Sequence, residues 1–151
     1  MIILGERSLS RLVGVHPDLV RVVKRAAALA LPSEDFTVLE GVRSREAMMV
    51  NYGKGRTVAQ CEAKGVPAKY AKPAEKKVTW LNNPFASRHG VQADGYGHAV
   101  DLAPYPIDWA ATARFNDVAR VMLSAALQEG VHVIWGGAWK SPDLPHFELA
   151  Q

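Results

Sequence analysis

Cysteine is nearly missing from this chain of 151 residues, with Cys61 standing alone. A single cysteine excludes an intramolecular disulfide and a cysteine-rich structural zinc knot. Long apolar runs are missing too, and nothing approaches the roughly 20 residues that span a bilayer. The opening, MIILGERSLSRLVG, has only a short apolar start before acidic Glu6. It lacks the basic head and long apolar stretch of a secretory signal. The chain is therefore expected to be made in a cytoplasm, so any role beyond the membrane needs another route out. Charge of one sign is scarce as well: 18 Lys and Arg face 15 Asp and Glu, for a net charge of +3. So mild a surplus favours an anionic partner without choosing between nucleic acid, membrane surface and cell-wall polymer. No internal repeat occurs.

What is present suits one domain with a real core, since 48% of the residues are hydrophobic. HPDLVRVVKRAAALAL predicts a helix from Pro17 to about Leu31, with proline at its first position and Asp18 at the positive end of its dipole. Leu19, Val22, Val23, Ala26 and Ala30 form its apolar stripe. FTVLEG alternates like a strand. SREAMMVNYGKG predicts a short helix from Ser44 to about Tyr52, stopped by Gly53 and Gly55. Residues Arg56 to Pro84 are rich in lysine and contain one strand-like piece, KVTWL. They are expected to form a surface insertion without a core of its own. DWAATARFNDVARVMLSAALQEG predicts a second long helix, with Asp108 as N-cap, Gly130 just past its end, and Ala111, Phe115, Val118, Met122 and Ala125 buried. VHVIWGG and PHFEL read as short strands. The expectation is a single α+β domain over residues 1–151, with a small, largely antiparallel sheet packed with helices.

The stretch SRHGVQADGYGHAVDL holds His89, Asp94, His98 and Asp101 among glycines. If HAVDLA is a strand, Val100 and Leu102 face the core, and Asp101 faces the other way beside small Ala99 and Ala103. His98 shares parity with Val100, which argues against it as a co-ligand of Asp101. His89 precedes a flexible loop with Gly90, Gly95 and Gly97 and can be folded back next to Asp101. In SPDLPHFEL, His146 and Glu148 share a strand face while Phe147 and Leu149 face the core. Two imidazoles, one carboxylate and a water make the usual shell of a catalytic zinc. A further carboxylate outside the shell would take a proton from the water. His89, Asp101 and His146 could be the shell and Asp143 the base. On spacing alone, this stands level with histidines that merely pack or face solvent.

The combined pattern resembles the zinc peptidases of the D-alanyl-D-alanine carboxypeptidase and phage L-alanyl-D-glutamate endopeptidase family, whose wider group includes the hedgehog signalling domain fold. Ser87 and His89, then Gly97, Ala99 and Asp101, match the family's first motif. Asp143 and His146, just after WGGAW, match its second, and EGVRS places the family arginine on Arg43. VHPDLVRVV after SLSRLVG is similar to the start of the phage endolysin branch. The chain departs from the pattern in a longer loop after His89, in the insertion over 56–84, in Ala138 where relatives often carry an acid, and in Met48 where glutamine is common.

The resemblance implies zinc held by His89, Asp101 and His146, with Asp143 as catalytic base. It also implies that Arg43 binds a peptide carboxylate or stabilises the oxyanion, against the plainer reading of an exposed arginine at a helix start. Ser87 and Trp139 are candidate substrate contacts, although core packing is the plainer role for Trp135 and Trp139. Asp94 reads as a solvated turn residue, His16 as helix-entry chemistry and His132 as structural. The lysines from Lys64 to Lys77 read as solvated surface, or else as attraction to an anionic envelope. The implied function is that of an endolysin, released at lysis, which cuts the peptidoglycan stem peptide at the L-alanyl-D-glutamate bond. No nucleic-acid partner, no membrane insertion and a monomer are expected. The alternatives are a D-alanyl-D-alanine carboxypeptidase or dipeptidase, and a non-catalytic wall-binding module.

Overall fold

Leu19, Val22, Val23, Ala26 and Ala30, the stripe expected on the first long helix, are all fully buried in the computed structural model, which describes residues 1–151. That helix, α2, spans Pro17–Leu29 and follows a short α1 at Glu6–Arg11, too brief to leave a periodic signature. It stops at Leu29, earlier than expected, because Ala30 turns extended and Leu31 precedes Pro32. The second long helix, α5, spans Thr112–Glu129 and ends at Gly130 in the left-handed region, φ 65°. Its start corrects the expectation at Asp108: the N-cap is Ala111, and Asp108 Oδ1 instead accepts from Ala110 N, closing a turn upstream. Phe115, Val118, Met122 and Ala125 are buried as expected, whereas Ala111 is only half-buried.

In the chain, β1 at Phe36–Glu40 and β2 at Ala99–Pro104 lie between these helices, and β3 at Val133–Trp135 and β4 at His146–Leu149 follow α5. They form one four-stranded antiparallel sheet in the order β1-β2-β4-β3. Phe36, Val38, Val100, Leu102, Phe147 and Leu149 join the stripes of α2 and α5 in one core. Truncating a fully buried side chain there, such as Leu19→Ala, costs about 2–5 kcal/mol. Alternation along β2 and β4 sends Asp101, His146 and Glu148 to the opposite face. The helical core thus fixes the sheet that carries the polar groups.

Helix α3 spans Arg45–Gly53, with Ser44 Oγ accepting from Ala47 N at 3.1 Å. Two expectations fail in the insertion. It does have a small apolar centre: α4 at Val58–Glu62 buries Cys61 against Tyr52 and Val66. And KVTWL forms no strand, since Val78 and Trp80 are both exposed and the piece pairs with no neighbour. It is fastened by buried Arg56, whose guanidinium donates to the carbonyls of Tyr52 and Thr79. No helix is long and apolar enough to cross a membrane.

Candidate active site

Antiparallel register puts Asp101 directly opposite His146 on β4 and opposite Glu40 on β1. Opposed residues share a sheet face, so Asp101 and His146 meet through strand pairing alone. Asp101 Oδ1 lies 3.3 Å from His146 Nδ1. His89 arrives from the segment before β2, where its carbonyl accepts from Arg43 N at 2.8 Å. The loop after it doubles back: Gln92 N donates to Tyr96 O, and Gly95 takes φ +88°. His89 Nε2 then stands 3.1 Å from Asp101 Oδ1. The two histidines are only 3% and 7% exposed.

Their other ring nitrogens decide what they offer. His89 Nδ1 lies 2.8 Å from the carbonyl of Gly41, which can only accept, so Nδ1 carries the proton and Nε2 presents its lone pair. His146 Nε2 lies 2.8 Å from Glu148 Oε1, a carboxylate, so Nε2 carries a proton, and Nδ1 offers its lone pair to a metal once the proton shared with Asp101 is displaced. His89 Nε2, Asp101 Oδ1 and His146 Nδ1 converge within 4.8 Å of one another. Three electron-rich atoms at that spacing repel unless a cation lies among them. The titration of the site expresses the same demand. Burial opposes charge on Asp101, but His146 and His89 outweigh it and hold its carboxyl far below the usual range. Burial also opposes a charged His146, but Asp101 and Glu148 outweigh it and push its pKa up to about 9. Two imidazoles and a carboxylate with one open side fit a catalytic zinc.

The trio opens on a cavity of about 410 Å³ that is also lined by Arg43, Ser87, Trp139 and Asp143. Asp143 sits in a tight turn, its N–H donating to Gly136 O at 2.9 Å and its carbonyl accepting from His146 N at 3.2 Å. A Cβ on Gly136 would stand 2.7 Å from Asp143 O and 3.1 Å from the Cβ of His146, so glycine is required there. Burial and the negative charge of Asp101 raise the pKa of Asp143 above an ordinary aspartate, against the pull of His146, His89 and Arg43. Arg43 is no free surface cation. Its Nε and Nη2 grip Glu40 at 2.7 and 2.8 Å, and Nη1 stands 3.3 Å from Ser87 Oγ. Trp139 stands with its ring 5.1 Å from that of His146 and lines the cavity, whereas Trp135 packs against the core and donates to Leu144 O.

Parity holds for His98, which turns away from Asp101 and joins a second His–Asp–His group with His16 and Asp94. Asp94 is an exposed turn residue, its Oδ1 accepting from Tyr96 N at 3.1 Å, and in addition its Oδ2 lies 2.7 Å from His98 Nε2 and 3.7 Å from His16 Nε2. His16 does cap α2, its Nδ1 accepting from Asp18 N at 3.1 Å. His132 is exposed at the edge of β3 and belongs to neither group. Two partners went unrecognised in the sequence. Glu148 holds His146, and Arg88 lies beside Glu148 and His98. For Glu148 the signal was available in its shared strand face with His146.

The family model for phage L-alanyl-D-glutamate peptidases matches residues 1–149. The chain belongs to the phage L-alanyl-D-glutamate peptidase family. The crystal structure of the Serratia marcescens L-Ala D-Glu endopeptidase ChiX is similar at 30% identity and a TM-score of 0.60, over 96% of this chain and 87% of that one. No curated protein matches. In this member of the phage L-alanyl-D-glutamate peptidase family, Met48 is buried with its methyl 3.1 Å from where a Gly90 Cβ would lie. Its apolar side chain packs behind the His89 segment, where a glutamine would need polar partners.

Proposed function

We propose that the chain is a zinc-dependent endopeptidase that hydrolyses the L-alanyl-D-glutamate bond of the peptidoglycan stem peptide, as a phage or prophage endolysin. The observation that carries the reading is the convergence of three lone-pair donors, with both outward ring nitrogens already committed to acceptors. His89, Asp101 and His146 would hold the zinc. The chemistry such an ion supplies is Lewis acidity toward a carbonyl and an acidified water. Asp143 takes a proton from the attacking water on its carboxylate and returns it to the leaving amine. Its raised pKa suits both tasks, because a carboxylate too acidic to hold a proton cannot deliver one. Arg43 Nη1 and Ser87 Oγ face the same cavity, where they bind a peptide carboxylate or the developing oxyanion. The grip of Glu40 fixes the guanidinium plane for that contact. Trp139 forms an apolar wall beside His146.

A monomer is proposed as the working unit. The substrate lies outside the cytoplasm, so the enzyme would act on the wall after the membrane is breached at lysis. Digestion of purified peptidoglycan, followed by mass analysis of the fragments, tests the assignment. Cleavage between L-alanine and D-glutamate, abolished by a chelator and restored by zinc, is expected. Release of free D-alanine with that bond intact would replace this reading with a carboxypeptidase. Undiminished digestion after complete metal removal would end the metallopeptidase reading.

A further inference from the structure

Glu148 stands two residues after His146 on β4, on the same face of the sheet. Its partner across the ladder on β2 is Ala99, whose small side chain leaves the carboxylate room to reach back toward His146. Oε1 accepts a hydrogen bond from His146 Nε2–H at 2.8 Å. Oε2 faces Arg88, whose Nε is 3.7 Å away, too far for a hydrogen bond but close enough for an ion pair. Arg88 Nε is buried with no hydrogen-bond partner, so the nearby carboxylate is its main electrostatic compensation. The other nitrogens of Arg88 are anchored to Gln92 Oε1, Leu149 O and His98 Nδ1. The guanidinium is therefore fixed on three sides while its fourth edge presents charge to Glu148.

Without an acceptor at Nε2, the proton of a neutral His146 would be free to sit on Nδ1, the atom that faces Asp101 and His89. That tautomer has no lone pair left for a metal. We propose that Glu148 is a positioning residue that keeps the proton of His146 on Nε2, so that Nδ1 stays open to zinc, and that Arg88 holds Glu148 in place for this. The inference rests on the zinc reading of the site. His89 needs no such residue, because the backbone carbonyl of Gly41 does the same work. The two metal-facing histidines thus differ in kind: the tautomer of one is set by main chain, that of the other by a replaceable side chain.

The test measures zinc affinity by chelator competition on the full chain and on Glu148→Ala and Glu148→Gln. Loss of an acceptor behind a metal histidine lowers affinity by about 10–100-fold, and that loss is expected for Glu148→Ala. Glutamine keeps a carbonyl acceptor for Nε2 and should recover most of the affinity, a rescue that a purely structural role would not produce. Nitrogen NMR of the His146 ring in the zinc-loaded wild type should show the proton on Nε2. Wild-type affinity in folded Glu148→Ala overturns the proposal. Should that variant fail to fold, a proton found on Nδ1 and absent from Nε2 of His146 in the zinc-loaded wild type overturns it independently. A wild-type chain that takes up no zinc removes the metallopeptidase reading itself, and this inference falls with it.

Discussion

Two His–Asp–His groups lie in this chain, each with its ligating atoms within 4.8 Å of one another, yet they are chemical opposites. In the group of His89, Asp101 and His146, the far ring nitrogens keep their N–H, donating to Gly41 O and Glu148 Oε1, so the nitrogens facing the aspartate are the ones whose lone pairs a metal could take. In the group of His16, Asp94 and His98, the far nitrogens are occupied by donors. His16 Nδ1 accepts from the amide of Asp18, and His98 Nδ1 faces the guanidinium of Arg88, which can only donate. Both rings must therefore carry their protons on the side of Asp94, whose carboxylate is already satisfied by N–H groups. The first group can turn its ring lone pairs toward a cation; in the second the ring lone pairs are already taken. Burial follows the same division, with His89 and His146 nearly sealed from solvent and the Asp94 side chain 41% exposed. What separates a candidate metal site from a polar staple is thus the second nitrogen of each histidine, not the aspartate between them.

The sharpest way to break this comparison is to make the same change in both groups. Asp101→Asn removes the anionic oxygen at the centre of the buried trio and should leave no measurable peptidoglycan hydrolysis. Asp94→Asn should keep nearly all of it, as judged by release of peptide fragments. A comparable loss in both would mean that the groups are not different in kind. Next in size, Asp143→Ala should cost about 10²–10⁴-fold in kcat, the usual worth of a general base. Zinc content should not change, because Asp143 lies outside the trio. A variant that lost its metal together with its activity would make Asp143 a ligand.

The pH profile gives a subtler check on the same residue. In the proposed role Asp143 acts as base only when ionised, and burial together with Asp101 raises its pKa. The acid limb of kcat/KM should therefore lie above about 4, the value of an ordinary aspartate. A limb at or below that value would show that another group accepts the proton. The smallest expected effect belongs to the staple. His16→Ala deletes the acceptor for Asp18 N and should cost about 1 kcal/mol in denaturant unfolding, as lost helix caps do. Hydrolysis should hardly change. A large loss of activity without loss of stability would give His16 a role beyond folding.

Much of the buried site could be read from strand parity. Alternation through HAVDLA separated His98 from Asp101, and alternation through PHFEL put His146 and Glu148 together. The second step, that Asp101 faces His146 across the ladder, depends on register between strands over 40 residues apart in the chain and leaves no local trace. The polar staple was illegible for a related reason. It joins His16, at the start of α2, to a loop some 80 residues later, and only the folded loop brings Asp94 within reach. KVTWL misled because its β-branched and aromatic residues mimic a strand, whereas an arginine on α3's flank holds it by one carbonyl. Asp108 misled because an aspartate that closes a turn and one that caps a helix look alike until the next residues are placed.

Where the ring lone pairs point decides which group takes up a metal, and the number of bound ions reads this out. Native mass spectrometry of the purified chain, loaded with excess zinc and then desalted, should find one ion per molecule. His98→Ala should still hold one ion and His89→Ala none. A second ion in the wild type that disappears in His98→Ala, or an ion retained by His89→Ala, would contradict the distinction between the two groups.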